Sequence, residues 1–154
     1  MSNSPRHPIG RRRSGFTLIE TIIVLVVISM MAALIAPKVN SAIGQSRVEN
    51  SARVIAADLQ LAFSLASRQR TPLRITVDAG AATYSIVTRT GTVIRERDLG
   101  DGSDLHVGTM SSSVATLDVF PSGFASGPIT IVIGINGYEQ TITMTRAGQV
   151  RVTS

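Results

Sequence analysis

Few side chains in this sequence are placed to do chemistry. Asp98, Asp101 and Asp104 fall within seven residues of one another, and hard oxygen ligands in a glycine-rich loop can hold calcium. Their spacing lacks the alternate acids and distal glutamate of an EF-hand, so an ordinary polar turn is expected. Cysteine is absent, and of the two histidines only His106 lies beyond the first dozen residues. A zinc centre or a thiol nucleophile therefore has no ligand set, and a serine triad would rest on His106 alone, with no nucleophile elbow near it. No enzyme activity, no metal and no cofactor is expected. Arg95 and Arg97 stand two apart on an expected strand and so share a face, with Arg89 close and Arg151 in the tail. Such a strip can touch phosphates, but Trp is absent and Tyr84 and Tyr138 are poor stacking platforms on their own. A solvated face paired with Glu96 and Asp98 is the simpler expectation, and nucleic acid is not an expected partner. The remaining residue of interest is Glu20, alone in an apolar run.

That run explains where the acid must sit. Phe16 to Ala36 is 21 residues long with Glu20 its single ionisable side chain, and at about 1.5 Å per residue it makes a helix of roughly 30 Å, enough to cross a bilayer core. Twelve of its residues are Phe, Leu, Ile or Val. At about 0.3–0.6 kcal/mol each they favour insertion by roughly 4–7 kcal/mol, against about 3 kcal/mol for one central ionised group. A carboxylate held at membrane depth usually has a partner or a function. Arg6, Arg11, Arg12 and Arg13 precede the run and account for four of the fifteen basic side chains, leaving eleven against ten acids from Phe16 onward. The net charge of +5 thus belongs largely to the leader, where it orients the span rather than marking a nucleic-acid binder. The rule puts residues 1–15 in the cytoplasm and the C-terminal domain across the inner membrane.

After Pro37, which is expected to kink the helix, a helical pattern resumes from about Asn40 to Ser67. Val48, Ala52, Ile55, Leu59, Ala62 or Phe63, and Ala66 recur at steps of three and four as one apolar stripe. Arg47, Glu49, Arg53, Asp58 and Gln60 are placed off it. Beyond Thr71-Pro72 the chain turns to short runs rich in Val, Ile and Thr: Leu73–Val77, Thr83–Thr88, Thr92–Arg97, Val114–Phe120, Ile129–Ile135, Glu139–Thr145 and Gln149–Val152. Turn residues separate them, and Asn136-Gly137 between alternating runs is a strong hairpin signal. The fold class is α+β, with a long N-terminal transmembrane helix packed on an antiparallel β-sheet domain. The expected organisation is a leader over 1–15, a transmembrane half-helix over 16–37, an amphipathic half-helix over 38–70 and a periplasmic β domain over 71–154.

The segment Arg11-Arg12-Arg13-Ser14-Gly15-Phe16-Thr17-Leu18-Ile19-Glu20 resembles the start of type IV pilins and type II secretion pseudopilins. Their basic leader ends in Gly, a Phe follows, and a Glu stands four residues later; Pro37 at the end of the run also matches. Ser51–Ala62, Ser67–Leu73, Val119-Phe120-Pro121-Ser122-Gly123 and Arg146–Val152 resemble the GspH/FimT group of minor pseudopilins and minor pilins, so the likeness covers nearly all of Gly15–Val152. It implies a pilin-like fold, cleavage between Gly15 and Phe16 by the prepilin peptidase, methylation of the Phe16 amine, and assembly with other pilins or pseudopilins through Glu20. A low-copy subunit of a type II secretion pseudopilus is the first expectation, and a minor type IV pilin of a pilus or DNA-uptake machine the alternative. Secreted cargo and inner-membrane lipid are the further partners implied. One departure bears on DNA uptake: members linked to it end in Gly-Arg-x-Arg, whereas here Gln149 stands for the first Arg and only Arg151 remains.

An ordinary secretory signal would be removed near its end, and a twin-arginine signal would need a different spacing to Phe16. Mass spectrometry of the mature chain separates these readings. The expected first residue is an N-methylated Phe16, and a start near Lys38 would overturn the pilin reading.

Overall fold

A computed structural model describes residues 15–154. The described chain forms one helix and eight strands, and it divides after Lys38 into two compact units. All of the leader but Gly15 lies outside the described residues, as do the side chains of Ala36 and Pro37 and with them the expected kink.

Helix α1 runs Leu18–Gln69. It starts two residues after Phe16 because Thr17 serves as its N-cap. In the first unit no described side chain of the helix is buried, and Phe16, Leu18, Ile22, Leu25 and Ile28 are among many large apolar groups left exposed. An 18-residue window here has mean hydropathy 2.7, so by length and composition this stretch is able to cross a membrane.

The second unit has a core of its own. The stripe expected on the helix is buried: Val48, Ala52, Ile55, Leu59, Ala62 and Ala66 all reach 1% exposure or less. Alanine at three of these positions lets backbone approach backbone, while Ile55 and Leu59 fill the space between. Two sheets supply the other side. The first has the order β3-β2-β1-β5, from β1 (Leu73–Asp78), β2 (Thr83–Thr88), β3 (Val93–Asp98) and β5 (Thr116–Val119). The second has the order β4-β6-β7-β8, from β4 (Thr109–Ser112), β6 (Ile129–Ile135), β7 (Tyr138–Met144) and β8 (Val150–Thr153). All pairings are antiparallel. Alternate residues point inward, so Leu73, Ile75 and Val77 of β1, Leu117 and Val119 of β5, and Ile129, Ile131 and Ile133 of β6 share one core with the helix.

Seven strands were expected and fall within one or two residues of those observed. The eighth, β4, reads Thr-Met-Ser-Ser and carries no β-branched apolar run. Its order comes from pairing with β6 across Thr109↔Gly134 to Ser112↔Ile131. The Asn136-Gly137 turn is present with both residues at positive φ, 50° and 84°, as a tight two-residue hairpin loop requires.

Gly148 closes the β7–β8 turn at φ +76°, and a Cβ placed there would lie 2.6 Å from the Phe63 ring. The turn thus presses directly onto the helix. Gly148→Ala is expected to lower stability by about 1–3 kcal/mol through left-handed strain and overpacking, measured by urea unfolding of the full chain in detergent. An unchanged midpoint would show that this turn does not bear on the helix.

Candidate assembly site

The N-terminal motif can be built from its hydrogen bonds. A helix begins with four unsatisfied N–H groups. Here the Thr17 hydroxyl accepts from the Glu20 N–H at 3.3 Å, and the Glu20 carboxylate accepts from the Thr17 N–H at 3.4 Å. The Thr17 carbonyl takes the first helical bond, from the Thr21 N–H at 3.2 Å. This reciprocal arrangement is a capping box. Its sequence signature, Thr-x-x-Glu ahead of an apolar run, was legible in Thr17-Leu18-Ile19-Glu20, and it makes Thr17 a capping residue that sequence reading passed over. Glu20 is thereby held at the first helical turn, facing the chain's own start, by two capping bonds that are longer than usual. Gly15 is unencumbered, with nothing within 4 Å of where its Cβ would be.

The arginines expected to form a solvated strip are arranged differently. Arg97 lies opposite Tyr84, and Arg95 opposite Ile86, across the β2–β3 ladder. Tyr84 and Ile86 point into the core, so both arginines lie on the face of β3 that looks to the helix, and both stay half-buried. They meet Asp58 there. Asp58 was placed off the apolar stripe, yet it is 5% exposed. The correction has a simple cause: position 58 is three residues after Ile55 and four before Ala62, both on the buried face. The Asp58 carboxylate accepts the Tyr84 hydroxyl at 2.7 Å and the Arg97 Nε–H at 3.0 Å, while Arg95 Nε stands 3.8 Å away. The expected partners Glu96 and Asp98 belong to the other face of β3. Burial, reinforced by the neighbouring carboxylate, holds the Tyr84 phenol protonated far above its ordinary range. A hydrogen bond to Asp58 likewise raises Arg97. Arg151 lies on β8 in the other sheet, so the fold does not gather the three arginines into one strip.

The acidic loop is a turn. Asp98 Oδ1 accepts the Gly100 N–H at 2.7 Å, and Asp101 reaches His106 Nδ1 at 3.4 Å. Among the described residues no three His, Cys, Asp or Glu side chains come together in the manner of a metal site.

With this geometry in place, comparison with known proteins is decisive. Residues 51–148 match the family described as type II transport protein GspH. The chain belongs to the GspH family. Residues 10–36 also match the prokaryotic N-terminal methylation motif. Among solved structures, the GspH-family chain superposes on the type IV minor pilin FimU of Pseudomonas aeruginosa PAO1 with a TM-score of 0.57 at 22% identity, covering 71% of this chain and 90% of that one. It superposes on the minor pseudopilin EpsH of the Vibrio cholerae type 2 secretion system with the same TM-score, 0.57, at 15% identity, covering 70% and 97%. At these identities the likeness establishes the α+β, pilin-like fold. No curated protein matches the sequence.

In this GspH-family domain, Asp58 joins the helix to the first sheet by polar bonds inside an apolar seam. Asp58→Ala strands Arg97 and Tyr84 and is expected to cost about 2–4 kcal/mol, whereas Tyr84→Phe, which removes one bond, costs about 1–2 kcal/mol. Urea unfolding of both variants checks the order. Equal, negligible losses would remove Asp58 from this role.

Proposed function

We propose that this GspH-family chain is a minor pseudopilin, a structural subunit of a type II secretion pseudopilus and not an enzyme. In this reading the prepilin peptidase cuts between Gly15 and Phe16 on the cytoplasmic side, the Phe16 amine is methylated, and residues 16–37 remain in the inner membrane with the β domain in the periplasm. Glu20 then serves assembly. The observation that carries the proposal is the placement of Glu20: one carboxylate, in the first turn of a helix whose described apolar side chains in the first unit are all uncovered.

The chemistry follows from exchange of partners. Before cleavage the carboxylate is occupied by the Thr17 N–H, a neutral donor at 3.4 Å. Cleavage creates a cation one residue earlier, on Phe16. A charged donor makes a stronger hydrogen bond than a neutral one, and the preference grows in a low-dielectric surrounding. An amine from a neighbouring subunit can therefore displace the capping bond. Because an unpaired charge is costly there, the pairing selects one register between stacked helices.

The second reading, a minor type IV pilin serving pilus assembly or DNA uptake, has the same support from fold, since the TM-score to FimU equals that to EpsH, 0.57. The two part on company. Under the first reading the crosslinked protein is expected to co-purify with other pseudopilins, and its deletion to leave secreted proteins in the periplasm. Recovery with sheared pili, and intact secretion, would favour the second. Under either, Glu20→Ala is expected to be cleaved normally yet to lose most of its incorporation; normal incorporation would refute the role given to Glu20.

A further inference from the structure

One cleft in the second unit is left unexplained by assembly through the helix. It has a volume of about 220 Å³ and is lined by Pro72, Leu73, Arg74, Arg89, Asp118 and Phe120. Arg74 and Asp118 face each other across the β1–β5 ladder. Arg74 binds the carboxylate in bidentate fashion, Nε to Oδ1 at 2.8 Å and Nη2 to Oδ2 at 3.2 Å. That hydrogen bonding holds the Asp118 carboxyl below the usual carboxylate range, and Arg89 adds to the effect through its charge. Arg89 itself forms no hydrogen bond or close ion pair among the described residues. Two guanidinium groups and one carboxylate leave the cleft with a net positive charge, and Arg89 carries the unused donors.

A second observation points the same way. Phe120 and Phe124 flank one tight turn. The Phe120 N–H donates to the Phe124 carbonyl at 2.8 Å, and Gly123 turns the chain at φ +81°. Both rings are left in water, Phe120 at 38% and Phe124 at 54% exposure. The backbone beneath them is braced, since the Ser126 N–H donates to the Asp118 carbonyl at 2.8 Å and the Asp118 N–H to Ser126 Oγ at 3.1 Å. Rigid exposed aromatics beside an arginine are the composition of a protein-binding hot spot.

We propose that this cleft, with Phe124 beside it, docks a carboxylate-bearing side chain next to an apolar one on a partner polypeptide; that the partner is a neighbouring filament subunit rests on the function proposed above. The carboxylate takes the free donors of Arg89, and its apolar neighbour covers Phe120 and Phe124. The cleft is smaller than a drug-sized ligand site and suits a side chain or two. A nucleic-acid strand is a poorer fit. It needs a run of available cations, whereas Arg74 is held by Asp118 and Arg95 and Arg97 face Asp58.

The test uses the full chain in detergent micelles with ¹⁵N-labelled arginine, titrated with the peptide N-acetyl-Glu-Leu-amide. The expected result is a saturable shift of the Arg89 Nε–H resonance. The Gln-Leu peptide is expected to bind about tenfold more weakly, as is the Glu-Leu peptide to Arg89→Gln, from loss of one charge-assisted bond. Arg89→Lys is expected to restore part of the response, and Phe124→Ser to weaken it without altering the fold by circular dichroism. Equal binding of the two peptides, no saturable shift, or displacement of the peptide by a thymidine oligonucleotide would overturn the proposal. Because the measurement is made on the isolated chain, it can fail while the protein still co-purifies with pseudopilins, and succeed while it does not.

Discussion

Apolar surface in water costs on the order of 25 cal/mol per Å², and α1 carries such surface along its whole length. The constraint is met in two ways. Over the second unit the helix confines its apolar residues to one stripe and buries them under two sheets. Over the first unit the apolar groups surround the helix, and no described side chain there is buried. A helix apolar all round has no polar face to give to water, so a membrane is its natural surrounding. One helix thereby carries two kinds of surface.

Each half then carries one acid where acids are expensive, and the two are handled by opposite means. Asp58 is paired within the fold: Tyr84 and Arg97 saturate one of its oxygens, and Arg95 stands near the other. Such a cluster adds direction to an otherwise slippery apolar contact, since a helix displaced along or about its axis breaks all three contacts together. Among the described residues the Glu20 carboxylate accepts a single long bond, from the Thr17 N–H at the start of its own helix. A carboxylate so lightly held is available to a better donor. A fully saturated Glu20 would be as inert as Asp58.

The sheets do more than cover the helix. The turns that close them reach back to it or out to solvent in defined ways. Gly148 lets the β7–β8 turn rest on Phe63, and the turn after β5 leaves Phe120 and Phe124 exposed, with Phe120 in the cleft that Arg89 lines. A subunit of the kind proposed must be recognised among similar neighbours. A rigid cleft of mixed charge and aromatic character suits that task better than the helix, whose apolar surface resembles that of any membrane span.

Local signals were enough for much of this. The apolar run, the stripe from Val48 to Ala66, the Asn136-Gly137 hairpin and all but one strand depend on residues close in sequence, and period and turn chemistry report them directly. The motif around Gly15, Phe16 and Glu20 is equally local, and even the overlooked Thr17 cap is written in four consecutive residues. The division into two sheets, the strand β4 and the partner of Asp58 were decided by tertiary structure. β4 is ordered by β6, some twenty residues away, and its own residues carry no strand pattern. Arg95 and Arg97 were rightly placed on one face, but which face is inward depends on how β3 pairs with β2 and where the helix lies. Electrostatic partners are chosen by distance in space, and spacing along the chain states only which groups are free to meet.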